Sequence, residues 1–291
     1  MPLTDPFELD TKAPPFDQLR AVRHLATNRS GRESTAHTRH QLYAARDKAT
    51  STQVLIKVTT KPGRVYEQNL ENEIASLIRI NEALPDSRYF PLVREHGRLP
   101  DGRVYLMTSL FDEFPLASTI DAERTPTKFV AHLTTAIEIS RALAELHGLP
   151  IFHVDLNPMN ILYRSERGRS IIRIVDFESS YDPGRHRAGV FYDPPTTPHF
   201  SAPEVSQQPP DARADIFSLG AVLYTMLAGY NWTWSADIGT CVKGDLDLDP
   251  ALRDILLSAV DAKPRRRYAS VERFRDALGG YLEQIWPGRS W

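Results

Sequence analysis

The sequence predicts an α+β fold in which a small β-rich lobe precedes a larger helical one, and three observations carry that prediction. Strand-like alternation marks the stretch up to Leu110, as in QVLIKV at residues 53–58. Apolar positions at helical spacing mark the remainder, with Leu219, Val222, Leu223, Met226 and Leu227 recurring along DARADIFSLGAVLYTMLAG. At 291 residues the chain is long enough for a large core, and one two-lobed domain fits it better than two independent ones.

Residues 1–18 carry Pro2, Pro6, Pro14 and Pro15 among polar residues, which reads as an extended arm. The small lobe is expected over residues 19–110, the large one over 111–285, and a short tail over 286–291. Alternation through residues 53–58 puts Leu55 and Lys57 on one face of a strand and Val54, Ile56 and Val58 on the other. In the helical run ENEIASLIRI, Glu73 and Leu77 share a face that Glu71 does not. A second helix opens at Thr125, has Pro126 in its first turn, and closes near Gly148.

FHVDLNPMNILY, residues 152–163, then sets Asp155 five residues before Asn160 between apolar flanks. IIRIVDF, residues 171–177, reads as a buried strand that delivers Asp176 to a loop. Residues 179–197 are rich in turn formers and lack either apolar period, so they form a long loop in which Ser179, Ser180, Tyr181 and Thr196 carry modifiable hydroxyls.

An acid and an amide in a Pro-containing loop can serve turn geometry alone. Phosphoryl transfer gives the same pair a second use, because that reaction asks mainly for positioning and charge neutralisation. A carboxylate such as Asp155 orients a hydroxyl and accepts its proton, while an amide oxygen such as that of Asn160 holds a magnesium ion without adding charge. Asp176 is a second candidate magnesium ligand.

In this order the motifs resemble the eukaryotic-type protein kinase domain of the serine/threonine class, over roughly residues 20–285. The resemblance implies a two-lobed protein-kinase-like fold with ATP and magnesium (Mg2+) in its cleft, and phosphate transfer to serine or threonine of a protein substrate. It assigns Asp155 as the base, Lys57 anchored by Glu73 as the holder of the α- and β-phosphates, and Asn160 and Asp176 as magnesium ligands. Leu55, Thr108, Leu110 and Gly31 become the nucleotide contacts. TPHFSAPE, residues 197–204, is similar to the segment that closes an activation loop and supports the substrate. Within it Thr197 is expected beside Asp155, and Glu204 paired with Arg267. Asp215 is expected to hold the catalytic loop from below.

Several positions depart from the family pattern. Gly31 stands alone where close backbone approach to phosphates usually takes several glycines, with Ser30, Ser34 and Thr35 as alternative donors. Val154 replaces the arginine that would receive an activation-loop phosphate, leaving Arg185 or Arg187 for that task. Asn157 replaces a lysine that stabilises the moving phosphate. Losing such a donor costs about 3–4 kcal/mol, and an amide that still donates reduces the loss. Glu178 replaces the glycine after Asp176 and Phe177, which predicts a fixed conformation for that phenylalanine. These departures leave two alternatives open: a pseudokinase that binds or scaffolds without turnover, and a small-molecule kinase, since DFE also occurs in choline-kinase-like enzymes and DLNPMNIL is close to aminoglycoside phosphotransferase loops.

Composition removes other classes. The chain has 35 basic and 37 acidic residues, a balance that favours neither nucleic acid nor a membrane as the main partner. The run Arg265, Arg266, Arg267 is shorter than a basic patch of ~5–8 residues. A single cysteine, Cys241, excludes an internal disulfide framework and, with no signal pattern or long apolar run, gives a cytoplasmic expectation. The Asp245, Asp247, Asp249 alternation lacks the glycine and carboxylate of a calcium loop, and His37 with His40 lacks two further zinc ligands. Oligomeric state is not encoded in any of these patterns.

Overall fold

The computed structural model describes residues 9–25, 39–123, 125–186, 196–229 and 237–287. The expectations placed on Gly31, Ser30, Ser34, Thr35, His37 and Arg187 lie outside the described residues. The fold is α+β. The chain divides into two compact units, residues 1–82 with 91–112, and residues 83–90 with 113–291.

The first unit is built on an antiparallel sheet of β1 (Leu19–Leu25), β2 (His40–Asp47), β3 (Gln53–Thr59), β4 (Val93–Arg98) and β5 (Val104–Ser109), in the order β1-β2-β3-β5-β4. The long helix α1 (Arg64–Ala83) links β3 to β4. Asp47 closes the β2–β3 hairpin by accepting Ala49 N at 2.9 Å and Thr50 N at 2.6 Å, the local bonding that makes Asp a turn residue. One face of the sheet carries the apolar core: Val54, Ile56 and Val58 are buried with Tyr43, Ala45, Tyr105 and Met107. Leu55 and Lys57 alternate to the other face, as the period of a strand requires.

Where the prolines predict an extended arm, residues 9–18 run through turns instead, with Phe16 N and Asp17 N both bonded to Ala13 O at 3.1 Å. Leu9 and Phe16 are buried in the sheet's core, and Phe16 meets Tyr105 edge-on at 5.4 Å. Removing these two side chains from water is worth about 1.5–3 kcal/mol each, which outweighs the local preference of the prolines for extended chain.

The second unit is mostly helical: α2 (Pro126–Gly148), α3 (Ala212–Ala228), α4 (Ile238–Gly244), α5 (Pro250–Ala259) and α6 (Val271–Ile285), with a small sheet β6 (Phe114–Pro115), β7 (Ile161–Glu166) and β8 (Arg169–Ile174) in the order β6-β7-β8. Thr125 caps α2 by accepting Lys128 N at 3.2 Å, with Pro126 in the first turn as the sequence predicts. Helix α3 is buried along almost its whole length and packs on α2, α5 and α6. It stops at Gly229, whose φ is 71° and where an added Cβ would lie 2.6 Å from Asp121 O, so a side chain has no room. The acidic alternation includes a helix cap: Asp249 accepts Ala251 N at 2.9 Å and opens α5.

Candidate active site

On the first unit, the site begins with strand alternation. Lys57 leaves the core face of β3, and its Nζ meets Glu73 Oε2 at 2.6 Å, with the two side chains only 12% and 6% exposed. Glu73 lies on the inward face of α1 with fully buried Leu77, whereas Glu71 points elsewhere and bonds Arg98 at 3.2 Å. The choice of Glu73 over Glu71 follows from this facing. Register pairs Leu55 with Thr108 and Lys57 with Leu106, so all four side chains share the Lys57 face. Thr108 is buried there, and Leu110 follows the end of β5 with its N–H bonded to Gln53 O at 3.2 Å.

On the second unit, residues 153–160 form a loop between α2 and β7 whose backbone is held from inside. Fully buried Asp215, in the first turn of α3, accepts His153 N at 2.9 Å, Val154 N at 2.8 Å and His147 Nε2 at 2.9 Å. Burial alone would push the Asp215 carboxyl up; the His147 contact, His153 and the Val154 N–H hold it below its ordinary value instead. Val154 adopts φ 71° with its side chain fully buried. A β-branched residue there is strained, at a cost of about 1–3 kcal/mol, and the Asp215 bonds hold it in place.

Asp155 emerges from this loop with each carboxylate oxygen engaged: Oδ1 accepts Thr197 N at 2.6 Å and Oδ2 accepts Asn160 Nδ2 at 3.2 Å. Burial raises the Asp155 carboxyl above its ordinary value and Asp176 adds to the rise, against the opposing contacts of Thr197. Asn160 Nδ2 also donates to Asp155 O at 2.9 Å, which fixes the amide's orientation and leaves Oδ1 outside these bonds. The strand end beyond β8 is tied to the same residue, since Val175 N bonds Asn160 O at 2.9 Å. Asp176 therefore follows one residue after an anchor on Asn160, in the left-handed region at φ 69° that Asp accepts readily.

Asn157 serves the loop rather than open space. It is 1% exposed, its Nδ2 donates to Asp155 O at 2.9 Å and Thr197 Oγ1 at 3.1 Å, and its Oδ1 accepts Met159 N at 2.9 Å. Both amide hydrogens are engaged, in bonds that brace Asp155 and Thr197.

Phe177 is fully buried, edge-on to Phe90 at 5.9 Å and to His153 at 5.0 Å. Glu178 is not among the residues with positive φ, so it fits this arrangement without left-handed strain. The following segment, expected as a long loop carrying modifiable hydroxyls, begins buried. Phe152 and Tyr181 exchange backbone bonds at 2.9 and 2.8 Å, and Ser179, Ser180 and Tyr181 are buried. Of the four hydroxyls named as modifiable, Thr196 alone is exposed.

Glu204 and Arg267 form a buried two-pronged pair, with Nη1–Oε1 and Nη2–Oε2 both at 2.7 Å. The guanidinium also lies over the Phe217 ring at 4.8 Å. Arg267 is thus structural, and only its neighbours Arg265 and Arg266 are exposed.

The sequence does not single out His147 or His153. Their roles depend on Asp215, more than sixty positions downstream of both, so no local spacing signals them. His153 Nε2 contacts Val175 O at 3.1 Å and joins the loop to the strand end that carries Asp176.

Comparison with known proteins adds an independent finding. Residues 39–276 match the protein kinase domain family. The chain is similar to human ribosomal protein S6 kinase alpha-2, with 32% identity over 190 residues, and to mouse ribosomal protein S6 kinase alpha-1, with 35% identity over 190 residues. Each alignment covers 63% of this chain and 24% of the relative, so the chain spans about a quarter of the length of the curated relatives it matches.

Proposed function

The chain belongs to the protein kinase domain family, and from that premise we propose that it is an ATP-dependent serine/threonine protein kinase. One observation carries the reading: Asp155, Asn160 and Thr197 are bonded into a single constellation, with Asp176 anchored through Val175 to the same loop. Asp155 positions the acceptor hydroxyl and takes its proton as the phosphoryl bond forms. The raised carboxyl is a better base than an ordinary Asp, since proton affinity is what a general base supplies.

Lys57, oriented by Glu73, holds the α- and β-phosphates of ATP, and Leu55, Thr108 and Leu110 contact the base. The donor set of an amide oxygen at Asn160 and a carboxylate at Asp176 is all-oxygen, which fits magnesium. When bound, magnesium neutralises charge on the phosphates. The Thr197 contacts with Asp155 and Asn157 support a serine or threonine acceptor, and residues 197–204 form the platform for a protein substrate. Among the described residues no helix is long and apolar enough to cross a membrane. A cytoplasmic setting, where ATP is plentiful, completes the proposal.

A second reading, a nucleotide-binding pseudokinase, is favoured by one observation: the Asn157 amide is consumed within the loop. The small-molecule alternative is weakened by the Glu204–Arg267 pair, which braces a peptide-type platform. Incubation with labelled ATP, magnesium and generic basic proteins, followed by mass spectrometry, separates these readings. Phosphoserine or phosphothreonine supports the proposal; ATP binding without transfer supports the pseudokinase; transfer only to aminoglycosides or choline supports the third.

A further inference from the structure

A cavity of about 470 Å³ in the second unit has no residue of the catalytic constellation in its lining. Its walls come from the start of α2, the end of α3 and the loop 245–248 that precedes α5. The floor is apolar: Met226, Leu227 and Leu248 are buried there, and Phe129 is held edge-on to Tyr281 at 6.4 Å. Met226 and Leu227 belong to the last turn of α3, whereas Asp215 belongs to its first. At 1.5 Å per residue, about 17 Å of helix separates them.

Among the described residues the rim is charged, and unequally so. Glu123, Asp245 and Asp247 supply three carboxylates against the single ammonium of Lys128. That ammonium is already met by Glu123 at 2.6 Å and by both carboxylate oxygens of Asp121 at 2.8 Å. His132, also in the lining, adds no opposing cation. Burial pushes its imidazole below the ordinary value, so the ring is neutral at pH 7 and keeps a nitrogen that accepts hydrogen bonds. The loop that carries two of the carboxylates is held in place. Arg253 donates to Asp245 O at 2.6 Å and to Leu248 O at 3.0 Å, and Asp245 Oδ1 accepts Asp247 N at 3.2 Å.

We propose that this cavity binds a small organic amine, a protonated nitrogen carried on an apolar body. Its volume lies in the range of small-molecule sites, about 300–1,000 Å³. The floor takes the apolar body, and the carboxylates take the nitrogen, with His132 as a neutral acceptor. Charge complementarity rules against other occupants. An organic acid would meet three carboxylates. An uncharged apolar molecule would cover those carboxylates and return nothing for their lost water. A bare metal ion needs converging oxygens, and among the described residues Glu123, Asp245 and Asp247 form no group with oxygens within 4.8 Å of one another. Asp155 plays no part here, so amine binding and phosphate transfer stand or fall separately.

Ligand-observed NMR titration of the full chain with 4-phenylbutylamine, 4-phenylbutanol and 4-phenylbutyrate compares one apolar body carrying an ammonium, a hydroxyl or a carboxylate. The amine is expected to bind roughly tenfold more tightly than the alcohol, the scale of a charge-assisted hydrogen bond, and the acid more weakly than either. Asp247 is exposed, so it can be changed without disturbing the core. Asp247→Lys leaves the rim with balanced charge, so amine and alcohol should then bind within about twofold of each other. The alcohol's own affinity should be unchanged, a result that unfolding cannot give because it would lose both ligands. Asp247→Asn, the milder change, should lower the preference about threefold, the scale of one exposed ion pair. No binding of the amine, equal binding of amine and alcohol by the wild-type protein, or a preference that survives both substitutions overturns the proposal.

Discussion

Lys57 and Asp155 are oriented by different kinds of contact. Lys57 on β3 meets Glu73 on α1 through two long side chains, so the pairing depends on the identity of both residues. Asp155 instead sits on backbone that Asp215 holds through the His153 and Val154 N–H groups, and its own carboxylate accepts a backbone N–H from Thr197. Backbone donors are present whatever the side chain is. That difference lets Val154 stand in the loop, since its N–H alone is used by Asp215.

The contrast can be broken at either end. Lys57→Met is expected to lower kcat/KM by about 100-fold, the scale for losing a charged donor to a reacting group, and to weaken ATP binding. Glu73→Gln should cost about tenfold, and adding it to Lys57→Met should cost nothing more, because the two act through one interaction. Steady-state kinetics on the four proteins of this cycle check the coupling; additive losses would show that Glu73 does not act through the lysine.

On the loop, Asn157→Ala removes two donations and strands the Met159 N–H, which predicts about tenfold lower kcat with KM for ATP unchanged. A larger loss in KM for ATP would return Asn157 to direct phosphate contact. Asp215→Asn sets an amide donor against two buried N–H groups and should cost about 3–5 kcal/mol of stability. Because the Asp215 carboxyl is lowered by folding, its contribution is complete above its unfolded value near 3.8 and is lost as the pH falls through the folded value. The gap between wild-type and Asp215→Asn melting temperatures should therefore be constant near neutrality and close in strong acid.

The smallest effect is a shift in pH. Asp155 must be deprotonated to accept a proton, and its carboxyl is raised, so the acid limb of kcat/KM should lie above the ordinary Asp range of about 3.9. A limb at or below that value would contradict the buried setting.

Sequence patterns reached what depends on period and local chemistry. Alternation placed Lys57 and Leu55 opposite the core, helical facing separated Glu73 from Glu71, and Thr125 with Pro126 marked a helix start. What was not legible depends on partners distant along the chain. The Asn157 amide reads as an available donor until Thr197, forty positions on, is brought against it. Ser179, Ser180 and Tyr181 read as modifiable loop hydroxyls until the Phe152 backbone bonds Tyr181. Leu9 and Phe16 look isolated among prolines, and only the sheet they cover gives them a core.

Single-turnover phosphate transfer from labelled ATP with magnesium, for wild-type protein and Asp155→Asn side by side, with nucleotide affinity measured in parallel, tests the central claim most directly. The account predicts a loss of on the order of 1,000-fold in the rate, within the range for a positioned general base, with ATP affinity nearly unchanged. Equal rates in the two proteins, or transfer by neither despite bound ATP, would contradict it.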